Sequence, residues 1–507
     1  MKNVGYVIIN VASAKPSSQL SYKIIFMKQH KHFEYWALAA LLTTFFGCFA
    51  VKIWDIDFWW HIAAGKNILD NGAIPGVDPF GVYDANNVWG QTILKSQWLG
   101  QVLLYSIYHW FDLDGVILFR AGVLTLCLAI VYWRCRLATT LSLFSFPITA
   151  LSGLAILLHT GERPQLFSFL YLSLIFLLLD SFARSGKRWL LYCIPVVMLM
   201  WSNTHGGAVL GEIALGLYGA GYVLENRLAG GQFNAPGIRP MLWVVGLSAA
   251  VLVLAPNGFT TFKHIMALES NPIRNITSEY ASPWALWPTT LYYWVFMGVT
   301  VVSLPGLFNR TYLKQGIVVV AIGAISVTGF RYIPLFVLLA APYVAASLNR
   351  MFNGIKPPAV AVNLIVLAVA LAFLAYGFKQ KQVFQHGMQE QRFPSGAVAF
   401  LEANKLGGRM FNTMNWGGYL IWHLSGTTTV FVDGRMLDPT RIVPYTHILW
   451  ATPEGQRFFE QANFNLALVP YANKFSGERY PLVAYLQNHP GWKMVYQDGL
   501  GILFAKR

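Results

Sequence analysis

The sequence predicts a polytopic α-helical membrane protein, with about eleven transmembrane helices and a C-terminal α/β domain. Three observations carry this expectation. Of 507 residues, 55% are hydrophobic and 12% charged, and the mean hydropathy is +0.47. Apolar stretches, each close to the length of about twenty residues that crosses a bilayer, recur from residue 34 to residue 378. Beyond residue 379 the apolar runs shrink to strand length and alternate with helical stretches, as in a small α/β domain.

Three parts follow. Residues 1–33 read as a cytoplasmic N-terminal segment, because Lys15, Lys23, Lys28 and Lys31 precede the first span and basic residues stay inside. Ala12-Ser13-Ala14 faintly resembles a cleavage site, and Met27 is an alternative start. Residues 34–378 hold spans near 34–53, 114–133, 141–158, 164–182, 189–204, 207–225, 240–256, 291–308, 315–330, 332–349 and 359–378. Within this part, 54–113 is a first outer loop, in which 98–111 reads as an amphipathic surface helix. Residues 379–507 form the extracytoplasmic α/β domain, closed by a hairpin turn at Asp498-Gly499.

Loop charges set the expected orientation. Arg134, Arg136, Arg184, Lys187, Arg188, Arg227, Arg239, Arg310, Lys314, Arg350 and Lys356 fall in alternate connections, which places those inside. The formal charge of +15 is thereby accounted for without nucleic acid. The reading is a multi-pass protein of the cytoplasmic (inner) membrane, N-terminus inside and C-terminal domain outside. Cys48, Cys127, Cys135 and Cys193 lie in or beside apolar spans and have neither metal-ligand nor disulfide spacing.

The stretch 54–80 is the chemical focus. It sets Asp55 and Asp57 beside Trp59, Trp60 and His61 at a membrane surface, then a helix from Trp60 to Leu69 and Asp78-Pro79-Phe80. Acidic groups at the end of a span are costly unless they face water or a site. The other outward loops add Glu162, Arg163, His205, Lys263, Arg274, Glu279 and Arg331. Singly, each has an ordinary explanation, such as a local Glu162–Arg163 pair. Gathered on one side, they point to a site facing outward.

That set supports glycosyl transfer from a lipid-phosphate donor. Asp57, or Asp55, is placed to act as general base. Arg163, Arg331, Lys263 or Arg274 can neutralise a leaving phosphate, with His61 and His205 as further substrate contacts. Asp55, Glu162 and Glu279 can supply oxygen ligands to a divalent cation (Mg or Mn), which the chemistry does not require. Trp59, Trp60 and Trp89 offer faces for a sugar or isoprenoid.

Asp57-Phe58-Trp59-Trp60-His61, followed by a helix, Gly and Asp78-Pro79-Phe80, resembles the first outer loop of the GT-C glycosyltransferase superfamily. Its nearest likeness is to the catalytic subunit of oligosaccharyltransferases. Ile276-Thr277-Ser278-Glu279 looks like that family's outer-loop Thr–Glu element, and Gly329-Phe330-Arg331-Tyr332 is similar to its late-span Arg. Asn415-Trp416-Gly417-Gly418-Tyr419 resembles its Trp-Trp-Asp-Tyr-Gly region, with Gly417 where the family carries Asp. The resemblance implies a GT-C-like fold, a catalytic Asp57, a role for Glu279, a polyprenyl-phosphate or -diphosphate sugar donor, and membrane lipid around it. The acceptor is then a protein, a lipid or a surface glycan. Transfer of a whole glycan en bloc is a second reading. A lipid-linked-sugar flippase or transporter is a third, against which stand the few midspan charges (Glu212 is the main one) and the lack of repeats.

Overall fold

The structure, a computed structural model, describes residues 18–81, 88–138, 143–230, 237–261, 263, 274, 277–308, 310–352, 359–472 and 477–507. Most of the N-terminal segment, including Lys15 and Met1, lies outside the described residues, as do His264 and Glu269.

The first part is helical: α1 (Ser18–Phe49), α2 (Phe58–Asn71), α3 (Val88–Lys95), α4 (Trp98–Ala138), α5 (Ser145–Ile156), α6 (Gln165–Ser185), α7 (Trp189–Tyr192), α8 (Ile194–Thr204), α9 (Ala208–Leu228), α10 (Ile238–Val253), α11 (Leu291–Leu307), α12 (Leu313–Ser326), α13 (Ile333–Met351) and α14 (Ala359–Lys379). Five helical stretches are long and apolar enough to cross a membrane: Trp98–Ala138, Gln165–Ser185, Ala208–Leu228, Phe330–Met351 and Ala361–Lys379. Six shorter apolar helices of 10–17 residues accompany them among the described residues. Each of the eleven expected spans falls on one of these. The amphipathic stretch 98–111 continues directly into the next span, broken only at Asp112 with φ +54. The Asp112 carboxylate restarts the helix by accepting from the Leu113 amide at 2.7 Å.

Helix α13 is the axis of the bundle. Its residues from Ile333 to Leu348 are all buried, as expected of a helix that is apolar all round. Pro342 lies inside it and leaves the Leu338 carbonyl without its intrahelical donor. The guanidinium of Arg134 fills that vacancy at 3.0 Å and pairs with Asp180 at 2.7 Å. Arg134 is therefore fully buried, which corrects its reading as a loop charge. Arg136 likewise pairs with Glu34, and Lys314 with Glu225.

The last part adds α15 (Ser395–Ala403), β1 (Gly408–Asn412), α16 (Met414–Leu424), β2 (Thr428–Val430), α17 (Ile442–Leu449), α18 (Pro453–Gln461), β3 (Leu466–Pro470), α19 (Pro481–Asn488), β4 (Trp492–Gln497) and β5 (Gly501–Lys506). The sheet order is β2-β1-β3-β5-β4, parallel through β2-β1-β3 and antiparallel at β5. Side chains alternate across it, as strand geometry requires. Met410, Leu466, Leu468 and Leu503 join the core shared with the helical bundle, whereas Phe411, Ala467, Val469, Ile502 and Phe504 pack beneath α17–α19. Asp498 closes the final hairpin by accepting from the Leu500 and Gly501 amides at 2.8 and 2.7 Å.

Backbone bonds join the two parts. Ile53 exchanges bonds with Gly387 and Gln389, each at 2.9 Å, and the Val430 amide donates to the Phe80 carbonyl at 3.3 Å. Helix α16 lies on α2 through Gly418. A β-carbon at Gly418 would come 2.7 Å from the Ile56 carbonyl oxygen, and one at Gly417 would meet the backbone of Val432 and Asp433.

Candidate active site

Asp57 occupies the N-cap position of α2, yet its side chain caps no backbone amide. An Asp there ordinarily does so. Its carboxylate faces Arg163 instead, 3.0 Å away. The local backbone explains the turn: the Asp57 amide donates to Asp55 Oδ1 at 2.9 Å, while the Asp55 amide donates to Glu162 Oε2 at 3.1 Å.

Arg163 is the hub. Its Nε donates to Asp55 Oδ2 at 2.5 Å, and its Nη1 pairs with both Asp57 and Glu279. Behind this trio, Arg120 of α4 is fully buried and pairs with Glu162. Arg120 also donates to the carbonyls of Phe49 and Thr160, both at 3.0 Å, and to that of Val51. It thereby ties the end of α1 to the loop carrying Glu162 and Arg163. Glu162 and Arg163 consequently serve different partners, not each other.

A cavity of about 310 Å³ opens over Asp57. Its polar lining includes His61, Arg163, His205, Glu279, Tyr280, Arg331 and Arg435. Its apolar lining includes Phe169, Val209, Leu210, Ile213 and Leu335 on the bundle helices. Arg331 donates to the Tyr280 hydroxyl at 2.5 Å and stacks on that ring. Trp60 and Trp89 line the cavity, with Trp89 Nε1 donating to the Met436 carbonyl at 3.1 Å. Trp59 stands outside it, buried among Phe58, Phe393, Tyr419 and His423. Lys263 and Arg274 are not on its walls.

The network assigns a tautomer to His205. Trp201 Nε1 donates to Ser168 Oγ at 2.7 Å, so that hydroxyl directs its own proton to His205 Nδ1, 2.6 Å away. The Gly207 amide donates to the same nitrogen at 3.0 Å. Nδ1 is an acceptor twice over, and the proton resides on Nε2. Burial and the neighbouring Arg331 push the imidazole down to about 3, so it stays neutral.

Charges around Asp57 pull in opposite directions. Burial, opposed by Arg163 and helped by Asp55 and Glu279, pushes its carboxyl up to about 6. Glu279 goes the other way: burial works against ionisation, but Arg163 and Arg331 hold it below the ordinary value. His61 is buried with Nδ1 unpartnered, and burial and Arg163 lower its affinity for a proton.

The carboxylates expected to ligate a cation do not form a ligand set. Glu162 is taken by Arg120, while Asp55 and Glu279 converge with Asp57 on a guanidinium. Among the described residues no group of three or more His, Cys, Asp or Glu is arranged to hold a metal ion. The residues as placed do not fit a divalent cation, because Arg163 fills the space between their oxygens.

The C-terminal part contributes to the site directly. Arg435 forks onto Asp78 at 2.6 and 3.1 Å and onto Asp433 at 2.8 Å, and Gly434 packs on Asp57 and Trp60. In the sequence, Asp433-Gly434-Arg435 is one short polar cluster among several in the C-terminal part. Arg120 and Ser168 were missed; Arg120 was legible as a lone charge in the apolar run Ile117-Leu118-Phe119-Arg120-Ala121-Gly122-Val123.

The bundle of apolar helices with its small C-terminal sheet has a GT-C-like fold, shared with solved membrane glycosyltransferases. Among solved structures, the chain is similar to the oligosaccharyltransferase of Archaeoglobus fulgidus in the apo form, at 12% identity and TM-score 0.53, over 86% of this chain and 70% of that one. The same archaeal protein has been solved with an inhibitory peptide and dolichol-phosphate, and with Zn and sulfate. ArnT from Cupriavidus metallidurans, bound to undecaprenyl phosphate, is similar at 12% identity and TM-score 0.50, over 96% of this chain and 98% of that one. No family model and no curated protein sequence matches the chain.

Proposed function

We propose that this chain transfers a sugar from a polyprenyl-phosphate or -diphosphate donor to an acceptor hydroxyl at the extracytoplasmic face of the cytoplasmic membrane. One observation carries the reading: a single cavity is lined both by Asp57, Arg163, His205 and Arg331 and by apolar side chains of the bundle helices. A donor with a charged head and a hydrocarbon tail matches such a lining. The most exposed apolar lining residue, Ile213, is 43% exposed, so the cavity opens at the surface of the bundle, where a lipid tail could enter.

Each residue then has a task. The acceptor oxygen bonds the anomeric carbon as the carbon–oxygen bond to phosphate breaks. The bonding pair leaves with the phosphate, and the acceptor proton passes to Asp57. Arg163 and Arg331 compensate the charge that develops on the phosphate, and His205 Nε2–H donates to one of its oxygens. Asp55 positions Asp57 and Arg163. Attack opposite the leaving group inverts the anomeric centre. The transferred unit is one sugar, with a protein, lipid or surface glycan as acceptor.

Intact mass of exported glycoproteins and surface glycans in cells carrying wild type, Asp57→Asn or no copy tests this. A defined sugar mass missing from both altered strains, at normal protein level, is the expected result and gives the donor's size. A lost mass larger than one sugar would favour en bloc transfer. Unchanged glycans in all strains would refute the transferase reading for those pools.

A further inference from the structure

Resting on the transferase reading, we propose that the Arg163 guanidinium does the work of a divalent cation, so that transfer proceeds without one. Asp55, Asp57 and Glu279 come from three separate segments and would repel one another if left alone. Arg163 binds all three, through Nε to Asp55 and through Nη1 to Asp57 and Glu279. Arg163 also lines the cavity, so the same guanidinium borders the space a donor would fill.

A bound cation would have two jobs in such a site. It would fix the carboxylates, and it would present positive charge to the leaving phosphate. A planar fork with several donors performs both. Its nitrogens hold the acids, and its place on the cavity lining brings its positive charge to a bound phosphate. A divalent ion coordinates oxygens at about 2.0–2.6 Å, so it would have to expel the guanidinium. That guanidinium is held by three acids, two of them buried. The side chain lies where an ion bridging Asp55, Asp57 and Glu279 would stand, and it leaves the base Asp57 oriented before any donor arrives.

The test is Mn2+ titration, read by electron paramagnetic resonance, of the full-length protein in lipid nanodiscs. Wild type, Arg163→Gln and Asp57→Asn are compared. We expect no stoichiometric Mn2+ in wild type. Arg163→Gln should take up one equivalent, because its carboxylates then face one another with no cation between them. Chelator treatment of wild-type membranes should leave the glycan product within about twofold of its untreated level, far from the decade that ~1.4 kcal/mol represents.

One equivalent of Mn2+ in wild type that is lost in Asp57→Asn would overturn the proposal. So would collapse of the wild-type product on chelation, or failure of folded Arg163→Gln to bind Mn2+. If Arg163→Gln does not fold, the wild-type titration and the chelation result still decide. The titration does not depend on which reaction the protein performs, so absence of any glycan product would count against the transferase reading alone.

Discussion

Gly434 lies directly against Asp57: a β-carbon on the glycine would stand far inside van der Waals contact with Asp57 Oδ1, and 3.3 Å from Trp60 Nε1. The C-terminal part therefore forms one side of the niche that holds the proposed base. Gly434→Ala must push Asp57 or the loop aside, a kind of overpacking that typically costs ~1–3 kcal/mol. The expected result is a product yield at least about tenfold lower, accompanied by a lower melting temperature. Product mass and thermal unfolding of the purified variant check this.

The acid limb of the reaction belongs to Asp57. Transfer requires the carboxylate, and its carboxyl is raised to about 6, so the rate should climb about tenfold per unit below that pH and level off above it. Stability follows the opposite sign. The folded state holds this proton more tightly than the unfolded state does, so the contribution is present at low pH and is lost as pH rises through about 6. Asp57→Asn should therefore melt higher than wild type at pH 8 and alike at pH 4. Equal melting temperatures at both pH values would show that Asp57 carries no such penalty.

His205 should leave no ionisation in the pH profile, since its pKa falls to about 3. Its proposed work is a hydrogen bond to a charged phosphate, worth ~1.5–3 kcal/mol. His205→Ala is expected to cut kcat/KM by about ten- to a hundredfold while the acid limb stays in place. Ser168→Ala removes the partner that fixes the tautomer and should give a smaller loss in the same direction. Steady-state rates across pH with a defined donor decide.

Arg120 and Glu162 are a structural pair with unequal dependence. Arg120→Met leaves Glu162 buried and uncompensated, at a cost of ~3–5 kcal/mol. Glu162→Gln leaves the guanidinium with the carbonyls of Phe49, Val51 and Thr160, and should cost less. Thermal unfolding of both variants in the same lipid gives the order; the reverse order would mean that the carbonyls contribute little.

The bundle was legible because a span announces itself by composition. Each expected stretch meets an apolar helix, and strands such as Leu466–Pro470 and Gly501–Lys506 follow short apolar runs. Helix Met414–Leu424 was not legible: Gly417 and Gly418 are weak helix formers, yet their missing side chains allow α16 to approach Asp433 and α2 closely. In the site, Asp55, Asp57, Glu279 and Arg331 could be picked out as polar groups in loops. Which acid meets which base could not, because pairing depends on how three loops fold over one another. Arg134 shows the same limit from the other side. It lies among charges that orient a membrane protein, yet it serves a carbonyl freed by Pro342, some two hundred residues away.

The backbone stitches between Ile53 and Gly387, and the seat of Gly434 on Asp57, also set a timetable. Asp57 leaves the ribosome long before the loop that walls it in. Through that interval the nascent bundle holds a half-built pocket, which is closed only when the sheet docks.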